Sequence, residues 1–262
     1  MKIKTFVQDV EFFLDEDLYN WYTKNSGKEV DKGSIWHWHP VISKEMAAFI
    51  LMCREYQYDS FIDIGAHCGI FSSVYSSIVK NHSCYSIEPI KEHIERIKKI
   101  ASINNFSVST HQIGLNNYIG ENKYYGDHMV NFIDEDFKKK DLRFSKDTEV
   151  FSVKIETLDH FVNTRKIKPS LIKIDIEGYE IPVLEKSNNT ISKYNPDLLI
   201  ETHRDECKNL GWNIEEICNY IKQDDYELYT YDLSKKILDL KDYVNNYDSN
   251  MRLVAFNKKR HY

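Results

Sequence analysis

An open, doubly wound α/β sheet is the fold this sequence predicts, and three observations carry that expectation. Phe61-Ile62-Asp63-Ile64 is an apolar run that ends in the turn Gly65-Ala66-His67-Cys68-Gly69. The turn opens directly into apolar residues spaced as on a helix face: Ile70, Phe71, Val74, Tyr75, Ile78 and Val79. Two further runs, Ser83–Glu88 and Leu171–Ile176, also end at acidic residues and lead into helical patterns. A strand, a tight turn and a helix N-terminus together make the usual seat of a nucleotide-like ligand at the carboxyl edge of such a sheet. Gly65 and Gly69 let the backbone turn sharply and approach a ligand that a Cβ would push away.

The remaining elements follow in order. Residues 1–42 are aromatic-rich, and their apolar positions between 10 and 22 predict one helix across the domain. Ser43 caps a helix through Met46, Phe49, Ile50 and Cys53. Pro89 starts a helix after the second strand, with Ile90, Ile94, Ile97, Ala101 and Ile103 as its buried stripe. Phe106–Leu115 reads as the third strand. Residues 116–150 break the rhythm, and an insertion of this length is expected to serve as an acceptor-binding loop, with a strand at Val150–Ile155. Thr157 caps a short helix, and Asp197–Thr202 is another strand. Asn213 and Glu216 have capping-box spacing, and Tyr226–Tyr231 and Met251–Phe256 read as a closing antiparallel pair. The expected organisation is an N-terminal helical or lid segment, 1–42, and one domain, 43–262.

Composition narrows the function. With 42% hydrophobic and 13% aromatic residues, the chain can bury a large core. A net charge of −6 argues against a nucleic-acid partner, which needs a basic stripe. Lys138-Lys139-Lys140 lies among acidic residues and reads as a solvated loop. Five scattered cysteines without a CxxC pair indicate reduced thiols and a cytoplasmic location, and no apolar run is long enough to insert in a membrane.

The glycine turn alone is a weak fingerprint, because it lacks the third glycine of GxGxxG. It gains weight from Glu88, which ends the second strand where a carboxylate can accept both ribose hydroxyls of an adenosyl ligand. Asp63 is expected either to orient the loop or to reach the amino end of that ligand.

Asp63-Ile64-Gly65-Ala66-His67-Cys68-Gly69, Ile87-Glu88-Pro89, Thr157-Leu158-Asp159 and Ile172-Lys173-Ile174-Asp175-Ile176-Glu177-Gly178-Tyr179-Glu180 occur in that order. This pattern resembles the FkbM family of S-adenosylmethionine-dependent methyltransferases over roughly residues 43–256. His67 departs from it, since the family usually has Asn after Gly-Ala. The resemblance implies a Rossmann-like sheet of about seven mostly parallel strands with a reversed final strand. It also implies S-adenosylmethionine as cofactor and methyl transfer to an oxygen of a sugar or other natural-product scaffold. Asp63, Gly65, Ala66, His67 and Gly69 then form the cofactor loop and Glu88 the ribose ligand, with Gly114 to Asn116 near the adenine edge.

Strand alternation puts Lys173, Asp175 and Glu177 on one side, the last two at the carboxyl end beside the loop. Asp175 is the first catalytic candidate. His203, in Glu201-Thr202-His203 at the next strand's end, is the most natural base, against an exposed loop histidine as the alternative. Asp175 and Glu201 could also hold a divalent cation such as Mg²⁺. Glu177 and Glu180 either floor the site or only shape the next turn. Trp36-His37-Trp38-His39 either closes over the site or staples the N-terminal segment to the sheet. His111 reads as a core histidine and His128 as a weaker acceptor contact.

The expected activity is O-methylation of a sugar hydroxyl, on a nucleotide-linked precursor of a bacterial surface (capsule) polysaccharide. The competing readings are a nicotinamide-dependent oxidoreductase and a non-catalytic cofactor-binding relative. Whether the chain forms a homodimer is left open by the sequence.

Overall fold

The computed structural model describes residues 2–25, 40–125, 150–247 and 250–261. Its centre is an eight-stranded sheet whose spatial order is β12-β11-β13-β10-β9-β3-β4-β5. The strands are β3 (Ser60–Ile64), β4 (Ser83–Ile87), β5 (Val108–His111), β9 (Leu171–Ile174), β10 (Asp197–Thr202), β11 (Tyr226–Thr230), β12 (Lys236–Ile237) and β13 (Met251–Asn257). Five of these, β5-β4-β3-β9-β10, run parallel, and β13 is antiparallel to both β10 and β11. The expected reversed closing strand is therefore present, with β12 as an added edge.

The order reverses between β3 and β9, so the turn after β3 opens at the topological switch point where α/β sheets bind ligands. The central strands are buried on both faces, which is why they read as near-continuous apolar runs. One face carries Ile62, Ile64, Ile172, Ile174 and Ile200, packed against α5 (Leu158–Arg165) and α6 (Glu180–Glu185). The other carries Phe61, Leu171 and Leu199, covered by α2 (Pro40–Tyr56) and α3 (Ile70–Ile78). Thr157 caps α5 as expected, its side chain accepting from the His160 N–H.

The N-terminus corrects the sequence reading. The single helix expected over 10–22 is a hairpin, β1 (Lys2–Val7) with β2 (Val10–Asp15), followed by α1 (Glu16–Asn25). Val10, Phe12 and Leu14 are buried while Glu11 and Phe13 face out, a period of two that only a strand satisfies. In the sequence these residues show a helical period because Leu18 and Tyr19 continue the apolar pattern into α1. The hairpin shares its core with α2 and α3. It is fastened to the end of α4 (Lys91–Asn104), where the Phe13 N–H donates to Asn104 Oδ1 (2.6 Å) and Asn104 Nδ2 donates to the Phe13 carbonyl (2.7 Å).

Three smaller differences follow from local chemistry. The helix expected to start at Ser43 begins at Pro40, whose fixed φ suits a first turn. The third strand divides: β5 stays in the main sheet, while β6 (Gly114–Leu115) joins β8 (Val150–Glu156) and β7 (Gly120–Tyr125) in a separate three-stranded sheet. The insertion thus carries strand structure at both ends, and the expected acceptor loop between them, residues 126–149, lies outside the described residues. Asn213 caps a 3₁₀ turn, Ile214–Glu216, that runs on into a short helix. Among the described residues no helix is long and apolar enough to cross a membrane.

Candidate active site

The site begins with strand register. Asp63 of β3 lies directly beside Lys173 of β9, so the two side chains share a face. Asp175 and Glu201 follow one step beyond Ile174 and Ile200, which pair across β9 and β10. Lys173 is 3% exposed, with Nζ 2.9 Å from Asp175 Oδ2 and 4.7 Å from the centre of the Phe71 ring. Burial alone would lower its pKa, but Asp175, Asp63 and Glu45 outweigh that and raise it. Asp63 is fully buried. Its Oδ2 accepts from the Ser72 hydroxyl (2.7 Å), while burial pushes its pKa up against the pull of Lys173. Of the two roles foreseen for Asp63, this environment fits orienting the loop and the start of α3.

The turn is pressed against this row. A Cβ on Gly65 would lie 1.8 Å from the Asp175 carbonyl oxygen, and φ there is +77°, so glycine is required twice over. The Gly65 and Ala66 N–H groups both donate to the Ile87 carbonyl (3.0 Å each). Glu88, 5% exposed, ties the turn to α4: Oε2 accepts from the His67 N–H and Oε1 from the Ile90 N–H, both at 2.9 Å. Each carboxylate oxygen keeps a second lone pair for another donor.

Beyond Asp175 the chain makes a strained turn, with φ +54° at Glu177 and +105° at Gly178. Glu180, wholly buried, holds it by accepting from the N–H groups of Ile176 (3.2 Å) and Gly178 (3.1 Å). Its Oε1 also lies 2.9 Å from His203 Nδ1. The other ring nitrogen faces Glu201 (3.4 Å), Glu177 (3.6 Å) and Asp175 (3.9 Å). Burial would lower the His203 pKa, but the Glu180 hydrogen bond and the surrounding carboxylates raise it to about 10. His203 is therefore an imidazolium at neutral pH. Asp175 titrates low despite its burial, because Lys173 and His203 favour its charged form. Glu177 moves the other way, burial and neighbouring carboxylates outweighing His203 to raise it to about 7.

Two charged residues complete the cluster without having been singled out from the sequence. Arg252 of β13 binds Glu201 and places Nε 3.5 Å from Glu45 Oε2. Glu45 is 4% exposed, and burial with Glu201 nearby raises its pKa to about 7. The available signals were an acid on the apolar face of α2, beside Met46 and Phe49, and an arginine inside the run Met251–Phe256.

The structure thus gathers Asp175, Glu177, Glu201 and His203 at one place, with Gly65, Ala66, His67 and Gly69 in the adjoining turn. Gly114 and Asn116 lie apart from the main sheet; the Asn116 N–H donates to the Glu156 carbonyl (3.0 Å). His111 packs edge-on to Phe161, and burial lowers its pKa to about 4, yet its Nε2 has no hydrogen-bond partner, unlike the satisfied core histidine expected. Trp36–His39, His128 and Lys138–Lys140 lie outside the described residues.

The family description for the methyltransferase FkbM domain matches residues 63–228, well over half of the chain. The chain belongs to this family. A solved FkbM methyltransferase from Methylobacillus flagellatus KT is 16% identical with a TM-score of 0.47, over 76% of this chain and 44% of that one. This chain therefore corresponds to less than half the length of that protein. The plantazolicin methyltransferase BpumL, solved with a monoazolic desmethylPZN analog and SAH, is 11% identical (TM-score 0.45; 92% and 90% covered). A precorrin-6y C5,15-methyltransferase from Geobacter metallireducens GS-15 is 10% identical (TM-score 0.40; 81% and 87% covered). No curated protein sequence matches the chain.

Lys173→Met tests the charged row. Removing the cation leaves buried Asp63 without its counter-ion and Asp175 with His203 alone close by, so the substitution should cost about 3–5 kcal/mol in denaturant unfolding. A loss below about 1 kcal/mol would show that the row carries little of the site's stability.

Proposed function

We propose that this chain is an S-adenosylmethionine-dependent O-methyltransferase that methylates a hydroxyl of a sugar, carried on a nucleotide, for a bacterial surface polysaccharide. The observation that carries the reading is the cluster of Asp175, Glu177 and Glu201 around His203 at the carboxyl end of the sheet, in a domain that matches the methyltransferase family. The residues suit an adenosyl cofactor. Gly65 lets the turn after β3 lie against the Asp175 backbone at the carboxyl end of the sheet, and Glu88 presents a buried carboxylate beside that turn as the ribose ligand. When bound, the cofactor supplies an electrophilic methyl group on a sulfonium.

The chain's own part is to orient the acceptor hydroxyl and take its proton. Glu177 is the general base, because its pKa lies near working pH while Asp175 is too acidic and His203 is already protonated. Asp175 and Glu201 accept hydrogen bonds from neighbouring hydroxyls of the acceptor, as suits a polyol. Holding the acceptor oxygen in line can supply up to roughly 7–11 kcal/mol of the acceleration, so positioning outweighs the base. Trp36–His39 and the insertion at 116–150 are the segments proposed to cover the acceptor, with residues 43–262 as the catalytic domain.

A divalent cation does not fit this donor set well. Asp175, Glu177 and His203 lie within 4.8 Å of one another. Yet Lys173 holds Asp175, Arg252 holds Glu201, and the His203 ring must lose a proton near pH 10 before it can ligate. The positive charge a cation would bring is already supplied by these side chains, and no step is assigned to one. A cytoplasmic location is part of the same proposal, supported by five scattered cysteines without a CxxC pair.

Two outcomes are expected. Calorimetry should show S-adenosylhomocysteine binding to wild type and its loss, by roughly 1.5–3 kcal/mol, in Glu88→Ala; no binding by folded wild type would end the methyltransferase reading. With an acceptor found among nucleotide sugars, Glu177→Gln should lower kcat about 10²–10⁴-fold. Wild-type turnover should rise with pH through about 7 as Glu177 deprotonates, a limb that Glu177→Gln removes. An unchanged pH profile would assign the base elsewhere.

A further inference from the structure

We propose that His67, Cys68 and His93 form a binding site for one thiophilic divalent cation of the zinc class, against the turn that follows β3. Two of the ligands are consecutive residues of that turn, and the third lies in the first turn of α4. One ligand atom from each lies within 4.8 Å of the other two. Cys68 Sγ and His67 Nε2 are 3.9 Å apart. Tetrahedral zinc with ordinary Zn–S and Zn–N bonds puts such a pair about 3.6 Å apart, so a small closure suffices. The His67 and His93 rings meet edge-on, 4.2 Å between centres.

His93 supplies the independent sign that something belongs there. It is 1% exposed, and neither ring nitrogen makes a hydrogen bond. A buried imidazole whose ring nitrogens make no hydrogen bond has given up its hydration without replacing it. Its Nδ1 lies 3.4 Å from Glu88 Oε1, giving it the carboxylate neighbour that metal-bound imidazoles commonly have. Two imidazoles and a thiol select zinc, or cobalt as its surrogate, over magnesium or calcium, which prefer oxygen. Arg96 Nη1, 3.8 Å from Cys68 Sγ, favours the thiolate that ligation requires. Binding releases the Cys68 thiol proton to solvent as the sulfur–metal bond forms. The bound cation ties the turn to α4, so that the glycine turn and the helix behind Glu88 are held as one unit.

Titration of the metal-free full-length chain with Co²⁺, followed by Zn²⁺ displacement, tests the site without any cofactor or acceptor. Its outcome is therefore separate from that of the methyltransferase reading. One Co²⁺ per chain is expected, with sulfur-to-cobalt charge-transfer absorption in the near ultraviolet that Zn²⁺ abolishes. Cys68→Ser should remove that absorption, and His67→Asn should weaken binding about tenfold or more, circular dichroism confirming that both are folded. Absence of the absorption in wild type, its persistence in Cys68→Ser, or unchanged affinity in His67→Asn would each overturn the proposal.

Discussion

The ion pair between buried Lys173 and half-buried Asp175, at the carboxyl end of β9, is the interaction on which the rest of the site depends. A lysine in the middle of Leu171–Ile174 opposes everything else the strand is built for. It is tolerated because Asp63 lies beside it in register, Asp175 accepts a hydrogen bond from its ammonium, and the Phe71 ring closes over it. Its placement fixes where Asp175 points. Gly65 then brings the turn into contact with the Asp175 backbone, an approach no other residue permits. The glycine turn and the acidic cluster are thereby one unit, set by the register of β3 on β9.

A second layer of charge decides which acid holds its proton most readily. Among the described residues six carboxylates, Glu45, Asp63, Asp175, Glu177, Glu180 and Glu201, crowd the end of the sheet, and Lys173, His203 and Arg252 are distributed among them. Asp175 receives the largest share and stays ionised, whereas Glu177 receives too little to offset its burial and becomes the group nearest neutrality. Glu180 does not compete for the reaction. It is spent on the backbone of the strained turn and on His203, and so keeps Glu177 in its left-handed conformation.

The parallel core was legible because its strands are buried on both faces and read as apolar runs ending in glycine or acid. The acidic ends could be placed because alternation along β9 fixes sides. Two kinds of feature were not legible. The β1–β2 hairpin was hidden because strand and helix periods overlap in residues 10–22, and the antiparallel pairing of β1 with β2, fastened at Asn104, decides between them. Protonation was hidden as well. The sequence makes His203 the natural base, but it cannot show that Glu180, a distant residue in sequence, occupies one ring nitrogen and that three carboxylates surround the other. Glu45 and Arg252 come from opposite ends of the chain, and their pairing depends on how α2 and β13 meet over the sheet.

The most direct test of this account is an NMR titration of the His203 ring in the folded chain, read together with the pH dependence of stability. If the cluster is organised as described, His203 stays protonated through neutral pH and titrates near pH 10. Its contribution to stability is then complete below pH 6.5 and is lost as pH rises towards 10, because the folded state holds the proton more tightly than the unfolded chain. A ring that titrates near 6.5 would contradict the account. It would mean that His203 is not the counter-ion of the acidic cluster, and the role of base would return to it from Glu177.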